Sequence, residues 1–179
     1  MQIQDNIKEI VKQALMEDVG DGDHSSLSCI SGNIIGRMKL LAKENGILAG
    51  VEVAKEVIRQ VDETITMEVF IHDGEAIKVG DVVFELFGPA RSMLTAERTL
   101  LNFMQRLSGV ATASRRYADA VAGTTTTILD TRKTTPGMRF LEKYAVKMAP
   151  LRLPKLPAHR VRPGPQLHHR AGPSAQEVP

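Results

Sequence analysis

The run ILDTRKTTPGMRFLEKYAV at Ile128 to Val146 changes its hydrophobic period in mid-course, and that change constrains the fold of this chain more than any other feature. Thr125 to Asp130 is β-branched and apolar and ends on an acid, so it reads as a buried strand. Thr135 and Pro136 then offer an N-cap and a proline at the first helical position, and a helix is expected after them. Strand, short loop and helix form the repeating unit of parallel α/β architectures. Ligands collect there at the carboxyl ends of strands, where a helix N-terminus adds unsatisfied N–H groups and the positive end of a dipole. Arg132 and Lys133 fall on that loop, so a phosphate or carboxylate is the expected guest.

Upstream, the pattern is that of an α+β domain. Ile3, Ile7, Ile10, Val11, Ala14 and Leu15 recur at helical spacing and predict an amphipathic first helix that packs on a sheet. Glu17 to Ser25 is rich in turn residues, with Asp23 or Ser25 able to cap nearby backbone. Ile34 to Ala42 alternates as a strand, and Val51 to Val61 carries helical periodicity. Thr64 to Phe70, Ala76 to Lys78 and Val82 to Phe87 supply further strands between Asp73-Gly74 and Gly80-Asp81 turns. Thr95 can cap a helix from Ala96 to Leu107, which leads across Ser108-Gly109 into a second helix through Tyr117 and Val121.

The pattern breaks after Met148. Of the nine prolines, seven lie at or after Pro150, and this segment has no Phe, Tyr or Trp to anchor a core, so it cannot offset its ordering entropy and is expected to be irregular. Of 23 Lys/Arg and 21 Asp/Glu, five and one lie from Ala149 onward, which leaves 18 and 20 before it. The body is therefore slightly acidic, and the net +2 arises from the tail rather than from a nucleic-acid-binding surface. Two readings of the tail compete: a natural Pro-rich basic interaction segment, or a reading-frame change or artefact. Missing length favours the second, because a full (β/α) barrel runs to roughly 200 residues or more.

A single Cys29 excludes an internal disulfide framework and cysteine-rich metal sites, in keeping with a reducing, cytoplasmic setting. No signal-peptide pattern opens the chain, and no window approaches 18 uninterrupted apolar residues, so no membrane partner is expected. Asp18, Asp21 and Asp23 lack EF-hand spacing and a distal Glu, and read as loop-capping residues. Gly20 and Gly22 begin a G-x-G-x-x-G frame that ends on Ser25 and follows a helix, so the dinucleotide fingerprint fails. His24 and His72 read as exposed turn histidines without a visible acid or thiol partner, and Arg115 and Arg116 as a solvated helix face. Arg98 stands in the first turn of its expected helix, where a cation opposes the dipole, so a requirement other than helix stability is one reading; an exposed charge beside Glu97 is the plain alternative.

DTRKTTPG followed by KYAV resembles the quinolinate phosphoribosyltransferases, the decarboxylating nicotinate-nucleotide pyrophosphorylases of NAD synthesis. ALMEDVGDGDHSS, KENGILAG, LTAERTLLNFMQRLSGVAT and RRYADAVAGT fall in family order with family-like spacing, over roughly residues 1–148. The resemblance implies an α+β amino-terminal sandwich domain with a linking helix over 1–109, the start of a truncated α/β barrel over 110–148, and a tail over 149–179. It implies transfer of a phosphoribosyl group to quinolinate with loss of carbon dioxide, giving nicotinate mononucleotide and pyrophosphate, with magnesium on the phosphoribosyl diphosphate. Arg98, Thr131, Arg132 and Lys133 are the substrate-binding residues so implied, with Arg98 reaching the site of a neighbouring subunit in a homodimer or higher homo-oligomer. No catalytic residue and no metal ligand is assigned. The family's remaining cationic and acidic site residues have no counterpart after Met148, where His159-Arg160 lacks the preceding Asn, so the chain as written is expected to be catalytically impaired.

Two alternatives stand beside this reading. One is a related type II phosphoribosyltransferase of the kind associated with molybdenum transport. The other is a non-catalytic carrier module, since Asp73 to Leu86 resembles the turn-strand-turn pattern of biotinyl and lipoyl domains. A carrier needs an exposed lysine at its hairpin tip, and Lys78 lies within the strand pattern instead.

Overall fold

The computed structural model describes residues 2–149. The expectations for the tail beyond them, including the one on His159-Arg160, lie outside the described residues. Helix α1 (Gln2–Val19) is followed by a short α2 (His24–Cys29), strand β1 (Ile35–Leu41), strand β2 (Gly46–Ile47) and helix α3 (Val51–Val61). Strands β3 (Thr66–Val69), β4 (Ala76–Ile77) and β5 (Val82–Pro89) lead into the long α4 (Ala90–Ala120), and α5 (Arg139–Met148) ends the described chain.

The β1, β3 and β5 strands form one antiparallel sheet in the order β1-β5-β3, while β2 and β4 pair as a separate antiparallel ribbon. Register follows from burial of one face. Ile35 opposes Pro89 and Lys39 opposes Glu85, and Phe84 and Leu86 of the central β5 turn inward. Helix α3 buries Val51, Ala54, Val57 and Ile58, the spacing of one helical face. Its first N–H groups are satisfied from a distant turn: the Asp73 carboxylate accepts from Val51 N at 2.9 Å and Glu52 N at 3.4 Å.

Helix α4 organises the core. Met93, Ala96, Leu100, Phe103, Met104, Leu107 and Ala111 recur every three or four residues and are all buried. The break expected at Ser108-Gly109 does not occur, and Thr95 lies inside the helix rather than at its cap. A glycine in a helix costs only about 1 kcal/mol relative to alanine, and the apolar stripe continues past it to Ala111. Ser108 Oγ instead donates to Ala49 O and accepts from Ala49 N. The ribbon lies so close to α4 that a Cβ on Gly46 would stand 2.5 Å from Thr112 Oγ1, the same oxygen that accepts from Ile47 N at 2.9 Å.

Two further expectations are corrected. Helix α1 packs against α3 and α4, not on the sheet, because Ile7 and Val11 find their apolar cover on those helices. Thr125 to Asp130 forms no strand among the described residues. A strand needs a neighbour to bond and a core to face; this segment has neither, and Leu129 is 64% exposed.

Candidate anion-binding site

The α5 helix starts three residues later than the sequence suggests. Pro136 to Met138 form a turn in which Gly137 takes a left-handed φ of 77°, so Thr135 cannot serve as N-cap. Thr135 Oγ1 donates to Glu142 Oε1 at 2.8 Å instead. Arg106, from α4, donates to that same oxygen through Nη2 at 2.6 Å and Nε at 3.1 Å, and to Thr135 Oγ1 at 2.9 Å. Glu142 is 7% exposed. The far end of the basic loop is thereby fastened to both helices.

The near end is held by cations of α5. Lys143 Nζ donates to Thr131 O and pairs with Asp130 Oδ2 at 2.5 Å. Arg139 donates to Thr134 Oγ1 at 3.2 Å and to Arg132 O at 3.4 Å, and Lys133 N donates to Thr131 Oγ1 at 3.1 Å. Thr131, Arg132 and Lys133 are all exposed, and among the described residues the side chains of Arg132 and Lys133 have no hydrogen-bond or ion-pair partner. The loop's acid is neutralised by Lys143 while its two cations face water, so an anion would meet little internal competition.

Arg98 sits elsewhere. It lies just over two helical turns, roughly 12 Å, toward the N-terminus of α4 from Arg106, inside the helix rather than in its first turn. Its partner is Asp18, Nε to Oδ1 at 2.6 Å, rather than Glu97. It lines an open groove of about 560 Å³ together with Asp23, His24, Glu97, Asn102 and Gln105. Within one chain, then, no described contact joins Arg98 to the loop that carries Arg132.

The acidic run of the α1–α2 connection caps and braces, as its turn-like composition suggests. Asp23 accepts from Ser26 Oγ and Ser26 N, which hold its carboxyl below its ordinary range, and also from Thr95 Oγ1. His24 is exposed but does have an acid beside it, Asp21 at 3.2 Å. Arg115 pairs with Asp119 on an exposed helix face. Lys78 follows β4 rather than lying within it, and its backbone starts the turn that Asp81 closes. That is the first position of the turn and not its tip, so the carrier comparison gains nothing.

Arg106, Arg139, Glu142 and Lys143 are the residues that sequence reading missed. Arg139 and Lys143 stand four apart on one helix, a spacing that places both on the face toward the loop and that the sequence already contained. The pairing of Arg106 with Glu142 carried no such local signal. Among the described residues no group of three His, Cys, Asp or Glu side chains is placed to hold a metal ion, and the loop is cationic.

A small antiparallel sheet covered by a long helix, with a cationic loop braced from that helix and its successor, defines an α+β protein. Comparison with known proteins narrows the class. The quinolinate phosphoribosyl transferase N-terminal domain family matches residues 23–108, and the corresponding C-terminal domain family matches 110–162, past the Met148 at which the motif resemblance ends. A probable nicotinate-nucleotide pyrophosphorylase [carboxylating] of Bacillus subtilis is 41% identical over 141 residues, covering 79% of this chain and 48% of its own. The chloroplastic nicotinate-nucleotide pyrophosphorylase [carboxylating] of Oryza sativa subsp. japonica is 41% identical over 142 residues, 79% of this chain and 38% of its own. The structure of the nicotinate-nucleotide pyrophosphorylase from Francisella tularensis superposes with a TM-score of 0.77 at 38% identity, covering 82% of this chain and 52% of that one. The chain belongs to the quinolinate phosphoribosyltransferase family, and it spans about half the length of the bacterial relatives it matches.

Proposed function

We propose that this chain supplies the quinolinate-binding part of a decarboxylating phosphoribosyltransferase. In that reaction the ring nitrogen of quinolinate bonds to the anomeric carbon of phosphoribosyl diphosphate, and pyrophosphate departs with the electron pair of the broken bond. The 2-carboxylate leaves as carbon dioxide, and the pair it leaves on the ring carbon takes a proton, giving nicotinate mononucleotide. Arg132 clamps one carboxylate with its planar guanidinium, Lys133 places a compact charge toward the phosphates, and Thr131 adds a hydroxyl. Cations held in place before the reaction stabilise the charge that builds on the ring and on the leaving group. Magnesium travels with the diphosphate.

Residues 1–109 are read as the amino-terminal domain and 110–148 as the start of an α/β barrel. In a homodimer Arg98 completes the pocket of the partner, which accounts for its distance from Arg132 along a single chain. Among the described residues no helix is long and apolar enough to cross a membrane, and a cytoplasmic setting is part of the proposal.

The observation that carries this reading is the pair of cations at Arg132 and Lys133, unpartnered among the described residues, on a loop whose only acid is already taken by Lys143. Calorimetric titration with quinolinate tests it. Arg132→Ala is expected to weaken binding by about tenfold or more, the loss of one charge-assisted bidentate contact, while Arg115→Ala leaves it unchanged. Equal affinity for the wild-type chain and Arg132→Ala would remove the loop from the site.

A further inference from the structure

Arg98 carries five N–H donors in a rigid fork, and the structure commits one of them. Nε donates to Asp18 Oδ1 at 2.6 Å, whereas among the described residues neither Nη atom has a protein partner. Asp18 is itself fixed: its other oxygen accepts from Thr99 Oγ1 at 3.2 Å, and Thr99 is buried on the next position of α4. One turn earlier on the same helix, Thr95 Oγ1 donates to Asp23 Oδ2. A carboxylate from the last turn of α1, Asp18, and one from the α1–α2 connection, Asp23, thus grip α4 at Thr99 and Thr95. The Asp18 side chain is 22% exposed against 64% for Arg98, so the acid is the sheltered member and the guanidinium reaches outward from it.

From this we infer that Asp18 is a positioning residue for Arg98: by occupying Nε it orients the two Nη groups as a preformed clamp for a carboxylate. The inference rests on the proposed reading of Arg98 as a substrate-binding residue. An exposed arginine on a mobile stem must be immobilised when a ligand binds, and that ordering weakens the affinity it can deliver. Asp18 has that restriction in place beforehand. Its position also works against simple electrostatics. A carboxylate beside an anion site repels the ligand, so a residue that served only as background charge would improve binding when removed.

The opposite signs give the experiment. Quinolinate affinity is measured by calorimetry on the full chain as wild type, Asp18→Ala, Asp18→Asn and Arg98→Ala, with the thermal midpoint of each recorded. Asp18→Asn keeps both contacts, its Oδ1 accepting from Arg98 Nε and its Nδ2 donating to Thr99 Oγ1, and removes only the charge. Asp18→Ala is expected to weaken quinolinate binding by up to roughly tenfold, the affinity equivalent of ordering one long side chain. Asp18→Asn is expected to match or slightly exceed the wild type. A purely structural role would lower the thermal midpoint of Asp18→Ala without this split in affinity between variants that remain folded. Tighter binding by both Asp18 variants, or equal affinity in Asp18→Ala and wild type while Arg98→Ala is weakened, would overturn the inference and leave the reading of Arg98 standing. Unchanged affinity in Arg98→Ala, or no binding by the wild type, would remove the reading and the inference with it.

Discussion

Burial by itself pushes the Glu142 carboxyl up, but the hydrogen bonds from Arg106 and Thr135 and the Arg106 charge outweigh it and hold the group below its ordinary value of 4.5. The sign of the pH dependence follows. A carboxyl depressed in the folded state contributes its stability above about 4.5, and that contribution is lost as pH falls through the ordinary and then the folded value. The melting temperature of the wild type is therefore expected to fall more steeply than that of Glu142→Gln between about pH 5 and pH 3, and parallel curves would contradict it. Removing the other partner leaves a nearly buried charge without its cation. Arg106→Ala is expected to cost about 2 kcal/mol in chemical denaturation, less than the 3–5 kcal/mol of a fully buried pair because half of the guanidinium meets water. It also removes the Arg106 bond to Thr135 and leaves that end of the loop tied through Glu142 alone, so quinolinate affinity falls with stability; an Arg106→Ala protein of unchanged stability would show that the network does not brace the loop.

Among the elements, those with a strong period and an internal hydrogen-bond ladder were legible in the sequence. Helix α3 occupies the predicted span, and β1 and β5 lie within a residue or two of theirs. The failures have separate physical causes. Strand propensity at Thr125 to Asp130 is a statement about packing against neighbours, and no strand lies beside it among the described residues. Ser108-Gly109 has the local composition of a break, but the apolar stripe on either side carries the helix through it. The place of Arg132 and Lys133 on a loop before a helix was legible, whereas the bracing by Arg106 was not, since its partner Glu142 lies far along the chain. Gly46 carries no local signal of its role, yet its missing side chain sets the distance between ribbon and helix. Gly46→Ala is expected to destabilise the fold by about 1–3 kcal/mol through overpacking against Thr112, and a wild-type denaturation midpoint would show that the ribbon has room to move.

Taken as a whole, the molecule gathers its largest fully buried side chains, among them Met93, Leu107, Leu141, Val11, Val57 and Val83, around α4. Local opening free energies track such contacts. Amide exchange should accordingly be slowest at Leu100 to Leu107 and fastest across Thr124 to Thr134, where backbone bonds are few and residues are exposed; comparable protection in the two would mean that the loop is rigid without its ligand. A cationic loop held by helices on either side, yet free at its two charged tips, is the feature from which the functional account grows. A crystal structure of the protein with quinolinate tests it most directly. The account predicts one carboxylate of the ring within hydrogen-bond distance of both Nη atoms of Arg132, with Arg98 of a second protomer approaching the same ring. A ring bound away from residues 131–133, with the Arg132 guanidinium still facing water, would contradict it.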